Sequence, residues 1–230
     1  MAFEPGPSSR QRRFIPSGPV LPIPVLMLVT DRHLAGGEDQ LVEKVAQAVE
    51  AGVNAVQLRE KDLLPANLLL LAGRVRDVTH GRAMLLVNGP LDVALEVGAD
   101  GVHLPEDANP PELPWTFIWG RSVHSMLGAI HAMGGAARYL VAGPVFATRS
   151  HPGTEPLGLE FVRELCEIAL VPVIAIGGVT PQNAGDVLRA GAAGVAVISA
   201  ILGAASPTAA ARTLREVLDA AYQKTNGASA

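Results

Sequence analysis

Apolar residues along this chain follow two spacings that alternate. Short, nearly continuous apolar runs read as buried strands. They are VLMLVT (25–30), AVQLR (55–59), MLLVN (84–88), GVHL (101–104), FIWGRSV (117–123), YLVAG (139–143), PVIAI (172–176) and GVAVI (194–198). The segments between them have helical period. In DQLVEKVAQAVEAG, Leu41, Val42, Val45, Ala46 and Val49 share one face, and Gly52 marks the stop. PANLLLLAGRVRDVTHG opens with Pro65 in a first-turn position and stops at Gly81. TPQNAGDVLRAG offers Thr180 as N-cap, Pro181 as the first helical residue and Gly191 as the end.

Eight strand-then-helix units imply parallel strands joined by right-handed crossovers. Closure into an α/β (β/α)8 TIM barrel is the simplest architecture; a doubly wound open sheet is the alternative. The pattern predicts one barrel domain over residues 23–223. A Pro-, Ser- and Arg-rich flexible tail is expected at 1–22, and a second flexible tail at 224–230. In such a barrel the chemistry sits at the C-terminal ends of the strands.

Composition narrows this further. The 230 residues are 49% apolar but only 4% aromatic, so the core must be built from Ala, Val, Leu and Ile. A net charge of −4 without a basic cluster argues against a nucleic-acid partner. Cys166 is the only cysteine, which rules out an internal disulfide, fits core packing and suits a reducing, cytoplasmic setting. Residues 190–211 carry no charge, yet they are rich in Gly and Ala and broken by Pro207. They read as a strand, a turn and a helix start rather than a membrane span. The N-terminus lacks the pattern of a signal peptide. The expected partner is a small phosphorylated molecule, and self-association into a homo-oligomer is left open.

The residues leaving the strands are polar. They include Gln57, Arg59 and Lys61 after the second, Asn88 after the third, and His103 and Asp107 after the fourth. Ser122 and His124 follow the fifth; Thr148, Arg149, Ser150 and His151 follow the sixth. Gly177 and Gly178 precede a helix start, and Ser199 leaves the last strand. Their backbone N–H groups suit a phosphate, although a tight turn would also need glycine. Gln57 and Arg59 lie two apart on one side of a strand. Arg59 can clamp an anion with its planar fork, or pair with a rim glutamate. His124 can move a proton near neutral pH, or simply pack at a strand end.

The ordered set LVTD, VQLREK, DGVHL, GPVFAT, PVIAIGG and GVAVISAI, over about residues 25–222, resembles the thiamine phosphate synthase superfamily. The resemblance implies a (β/α)8 fold and work on a thiazole phosphate. Two branches differ. The synthase joins a pyrimidine methyl diphosphate to the thiazole phosphate with Mg²⁺; the TenI-type thiazole tautomerase aromatises a carboxythiazole phosphate by proton transfer, without metal. The synthase pattern has Asn-Asp after strand three, its Asp binding Mg²⁺, where this chain has Asn88-Gly89. Where synthases usually have Thr-Lys after GPVFPT, this chain has Ser150 and His151. His124 matches the proposed acid/base of the tautomerases. Asp107 matches the synthase's second metal-side carboxylate, and Gln57, Arg59 and Lys61 fit a diphosphate. The resemblance thus implies a tautomerase with His124 catalytic. Gln57, Arg59, Lys61, Asn88, Ser122, Thr148 and Ser150 would bind substrate, Gly177, Gly178 and Ser199 would bind phosphate, and no cofactor would be needed. The alternatives are the Mg²⁺-dependent synthase, with Asp107 on the metal, and a non-catalytic binder of thiazole or thiamine phosphates.

Overall fold

The computed structural model describes residues 19–109, 112, 117–148 and 153–227. Eight parallel strands appear among them: β1 (Val25–Val29), β2 (Ala55–Leu58), β3 (Met84–Val87), β4 (Gly101–Leu104), β5 (Ile118–Val123), β6 (Tyr139–Ala142), β7 (Val173–Ile176) and β8 (Gly194–Val197). Each pairs with its sequence neighbour, and β1 also pairs with β8, Val25 opposite Gly194. The sheet is therefore a closed barrel, and the open-sheet alternative is excluded.

The helices are α1 (Arg32–Ala35), α2 (Glu38–Glu50), α3 (Pro65–Thr79), α4 (Leu91–Glu96), α5 (Met126–Gly134), α6 (Gly158–Ile168), α7 (Ala184–Arg189), α8 (Ser199–Leu202) and α9 (Pro207–Gly227). On α2 the buried stripe is Leu41, Val45, Ala48 and Val49, while Val42 and Ala46 are half-buried at its edges. The uncharged stretch 190–211 is divided among β8, α8 and the start of α9. No helix among the described residues is long and apolar enough to cross a membrane.

Three boundaries differ from expectation. The helix after β7 starts at Ala184, not Pro181, because Asn183 organises a turn first. Its Oδ1 accepts from Thr180 N at 2.8 Å and its Nδ2 donates to Gly178 O at 3.0 Å. α9 continues to Gly227, so 224–227 is helix rather than flexible tail. At the other end, Leu21 is buried against the barrel interior, and Asn54 Nδ2 donates to the carbonyls of Pro22 and Pro24, each at 3.0 Å. Residues 19–22 thus close the barrel floor. The rest of the expected N-terminal tail, 1–18, lies outside the described residues.

Strand alternation sorts the core into two layers. Outward side chains such as Leu28, Leu58, Leu85 and Leu140 pack under the helices against Leu41, Leu71 and Leu165. Inward ones, including Val25, Met27, Leu86, Ile118, Tyr139, Val141 and Ile174, fill the barrel itself. The interior is a packed core, as barrels of this size require. Cys166 is half-buried, and burial pushes its thiol up to about 11, which keeps it protonated and unreactive.

Tyr139 is the largest of the fully buried side chains, and Gly120 makes room for it. The two sit opposite one another on β6 and β5, and a Cβ on Gly120 would lie 2.0 to 2.3 Å from the phenol ring. A glycine inside a strand marks such a close approach. Gly120→Ala is therefore expected to cost about 3 kcal/mol, the upper end of overpacking, measured by chemical denaturation. Adding Tyr139→Leu, which removes the ring, should recover part of that loss. A Gly120→Ala protein as stable as the parent would contradict this packing.

Candidate active site

On β2 to β5 the inward-facing column is apolar low in the barrel and becomes polar near the C-terminal mouth. Ala55 gives way to Gln57, Leu86 to Asn88, Gly101 to His103, and Gly120 to Ser122 and then His124. These side chains meet. Asn88 Nδ2 donates to Gln57 Oε1 at 3.4 Å. His103 Nδ1 lies 3.1 Å from Tyr139 Oη, and its Nε2 lies 2.9 Å from Ser122 Oγ. Burial, aided by the positive charge of Arg59, pushes the His103 imidazole down to about 3. His103 is thus neutral at ordinary pH and unsuited to carrying protons there.

Charges at the mouth are divided unequally. Arg32, at the start of α1, takes two carboxylates that follow β2. Its Nη1 donates to Glu60 Oε2 at 3.1 Å, and its amide N lies 3.2 Å from both Glu60 oxygens. Its guanidinium also holds Asp62 in a two-pronged pair, with His33 Nε2 3.1 Å from the same carboxylate. Hydrogen bonds from Arg32, then His33, hold the Asp62 carboxyl well below the usual carboxylate range. The rim pair anticipated for Arg59 is therefore made by Arg32. Among the described residues no carboxylate pairs with Arg59 or with the exposed Lys61. The Arg59 backbone is fixed by its N–H donating to Thr30 Oγ1 at 2.9 Å.

His124 is tied down. Its Nδ1 is bonded to the carbonyl of Gly143, and a carbonyl only accepts, so Nδ1 carries the hydrogen. Its amide N donates to Glu106 Oε1 at 3.1 Å. Next to it, Arg121 points outward and binds the Pro105 and Ala108 carbonyls, which braces the loop carrying the exposed Asp107.

Gly177 and Gly178 have φ of 99° and 65°. A Cβ at Gly177 would lie 2.6 Å from Pro144 Cβ, and one at Gly178 would lie 2.5 Å from Ala147 O. The loop after β6 packs against both glycines, so both positions demand glycine whatever else they do. The Gly178 N–H and that of the exposed Ser199 donate to no group among the described residues. Thr148 is half-buried in the loop after β6. Ser150, with Arg149 and His151, lies outside the described residues.

A cavity of about 570 Å³ lies at the opposite end of the barrel, lined mainly by apolar side chains such as Leu21, Ile118 and Leu170. None of the strand-end residues lines it, so cavity volume does not mark the site here.

The TMP-TENI family, described as thiamine monophosphate synthase, matches residues 26–201, from β1 into α8. The chain belongs to this family. Thiamine-phosphate synthase from Chloroflexus aurantiacus is 38% identical over 205 residues, covering 86% of this chain and 94% of that one. The thiamine-phosphate synthase of Moorella thermoacetica is 40% identical over 206 residues, covering 86% and 98%. Among solved structures, thiamine phosphate pyrophosphorylase from Pyrococcus furiosus superposes with a TM-score of 0.75 at 35% identity, covering 86% and 96%. Membership in the thiamine monophosphate synthase family makes this barrel an enzyme.

The tautomerase expectation is overturned by the Chloroflexus aurantiacus and Moorella thermoacetica relatives, which carry the synthase name. The two positions that suggested it sit against near neighbours. A Cβ at Gly89 would lie 2.9 Å from Leu68 Cδ2, the flexible end of a side chain on α3. His124 bonds the end of β5 to that of β6 through Gly143. The synthase branch implies Mg²⁺ held by two carboxylates. Gly89 supplies none, Asp107 stands exposed, and no cluster of three metal-ligating side chains occurs among the described residues. A two-carboxylate Mg²⁺ site does not fit these residues.

The depressed His103 carries a pH signature. Unfolded, the imidazole titrates near 6.5; folded, it resists protonation until about 3. The unfolded chain therefore binds the extra proton first, and acid favours unfolding. This contribution is fully present above about pH 6.5. It is lost at about 1.4 kcal/mol per pH unit as pH falls towards 3. In denaturation at several pH values, His103→Gln should show a shallower acid loss than the parent by that amount. Parallel pH profiles would contradict the burial argument.

Proposed function

We propose that this chain is a thiamine-phosphate synthase, a transferase that joins a pyrimidine methyl diphosphate to a thiazole phosphate. What carries this reading is the likeness to relatives of that name, at 38% and 40% identity over most of both chains. The site offers matching chemistry. The thiazole ring nitrogen bonds to the pyrimidine methylene carbon. The carbon–oxygen bond to the diphosphate breaks, and inorganic diphosphate leaves with the electron pair. The balance requires no proton transfer, so the enzyme's tasks are alignment and stabilisation of the leaving group.

Arg59 is suited to the second task. Its fork is free of carboxylates, and Lys61 adds a second cation. The thiazole phosphate is assigned to the backbone N–H groups around Gly177, Gly178 and Ser199, on neighbouring strand ends. Gln57, Asn88 and Ser122 form the polar floor beneath the reacting atoms. Thr148 lies in the loop after β6, which would flank the diphosphate. His124 is oriented by its Nδ1 bond to Gly143, which leaves Nε2 as an acceptor; the reaction as written asks no proton transfer of it.

Purified protein mixed with both substrates, with and without added Mg²⁺, should form thiamine phosphate and diphosphate in equal amounts. Arg59→Ala should lower kcat/KM roughly 100-fold, the scale of losing one donor aimed at developing charge. Its melting temperature should stay near that of the parent, because Arg59 has no structural ion pair. Absence of thiamine phosphate under both conditions would overturn the assignment.

A further inference from the structure

The contacts between β4, β5 and β6 fix more than the position of Ser122. His103 stands between two hydroxyls, Tyr139 Oη at 3.1 Å and Ser122 Oγ at 2.9 Å. Tyr139 is fully buried, and no other hydrogen-bond partner for its hydroxyl occurs among the described residues. A neutral imidazole has one donor nitrogen and one acceptor nitrogen. If Nδ1 carried the hydrogen, it would donate to Tyr139 Oη and leave the phenolic O–H in an apolar core with no acceptor. If Nε2 carries it, every group is used: Tyr139 donates to Nδ1, and Nε2 donates to Ser122 Oγ. Leaving a buried donor unsatisfied is the costly arrangement, so the second is preferred. Both ends of the chain hold their protons. Burial keeps the phenol above its ordinary range and the imidazole neutral.

The consequence falls on Ser122. Its oxygen already accepts from His103, so its own hydrogen must point elsewhere. No other partner for this half-exposed hydroxyl occurs among the described residues, which leaves the barrel mouth. We infer that Tyr139 and His103 form a buried, one-directional relay that fixes Ser122 as a hydrogen-bond donor to an anionic oxygen of the bound ligand. Arg59, whose positive charge also acts on His103, would attract the same anion. Tyr139 and His103 are positioning residues, since neither reaches the ligand. The inference rests on the synthase reading only in taking the anion to be the diphosphate; the direction of the relay is independent of it.

Two measurements test the relay without turnover. Nitrogen NMR of histidine-labelled protein should show His103 protonated at Nε2 and bare at Nδ1, unchanged between about pH 5 and 8, a range well above its folded pKa. A proton on Nδ1 would overturn the inference even if the protein proves to be an active synthase. The second measurement is calorimetric affinity for inorganic diphosphate in the parent, Tyr139→Phe, Ser122→Ala and the double variant, each checked for folding by thermal melting. Ser122→Ala should weaken binding roughly 10- to 100-fold, the range for a hydrogen bond to a charged group. Tyr139→Phe should weaken it by a smaller factor, roughly fivefold, but only while Ser122 is present. Equal factors from Tyr139→Phe in both backgrounds would mean that the ring acts through packing alone and would refute the relay. A parent protein that does not bind diphosphate would refute the anionic acceptor. Failure of catalysis together with the predicted tautomer and coupling would count against the synthase reading and leave the relay standing.

Discussion

The hydrogen bonding of β1 to β8 determines where everything else in this molecule can be. It brings Val25 against Gly194 so closely that a Cβ on that glycine would lie 2.2 Å from the Val25 carbonyl oxygen. Once the sheet is closed, each strand has an inside and an outside, and alternate residues are committed to one or the other. The inside is narrow. Aliphatic side chains and a single tyrosine ring fill it, and polar groups are tolerated only near the mouth or where they satisfy one another. Gln57, Asn88, His103 and Ser122 are polar at the top of the columns that begin with Ala55, Leu86, Gly101 and Ile118.

The chain's own pattern revealed much of this. Each apolar run became a strand of the barrel, within a residue at either end, because buried parallel strands need apolar side chains on both faces. The polar residues at their ends face a common mouth for the same reason. What could not be read were contacts that depend on the closed geometry. Arg32 binds Glu60 and Asp62 from 28 and 30 residues away, and nothing in the sequence says that it, rather than Arg59, would take them. The ring of Tyr139 reaches His103 only because the registers of β4, β5 and β6 place both beside Gly120. That glycine, in the middle of a strand, was the one visible hint of a close approach.

The branch within the family was misread for a related reason. Gly89 does lack a carboxylate, but that one position did not decide the branch, since the relatives at 38% and 40% identity carry the synthase name. His124 was taken as the mark of a proton-transfer enzyme, and its Nδ1 hydrogen also joins two strand ends. A residue type at a motif position records packing and bonding demands as well as chemistry, and the two cannot be separated until neighbours are known. Gly177 and Gly178 carry the same double meaning, since the loop after β6 needs them as much as a phosphate would.

The pairing of Arg32 with Glu60 and Asp62 has a kinetic consequence. The protein as a whole is negative, with a formal net charge of −4, and would repel a phosphorylated molecule approaching at random. At the mouth, however, Glu60 and Asp62 are held by Arg32, so neither competes for Arg59 or Lys61. Capture of a phosphorylated anion by these two cations falls as ionic strength screens their charge.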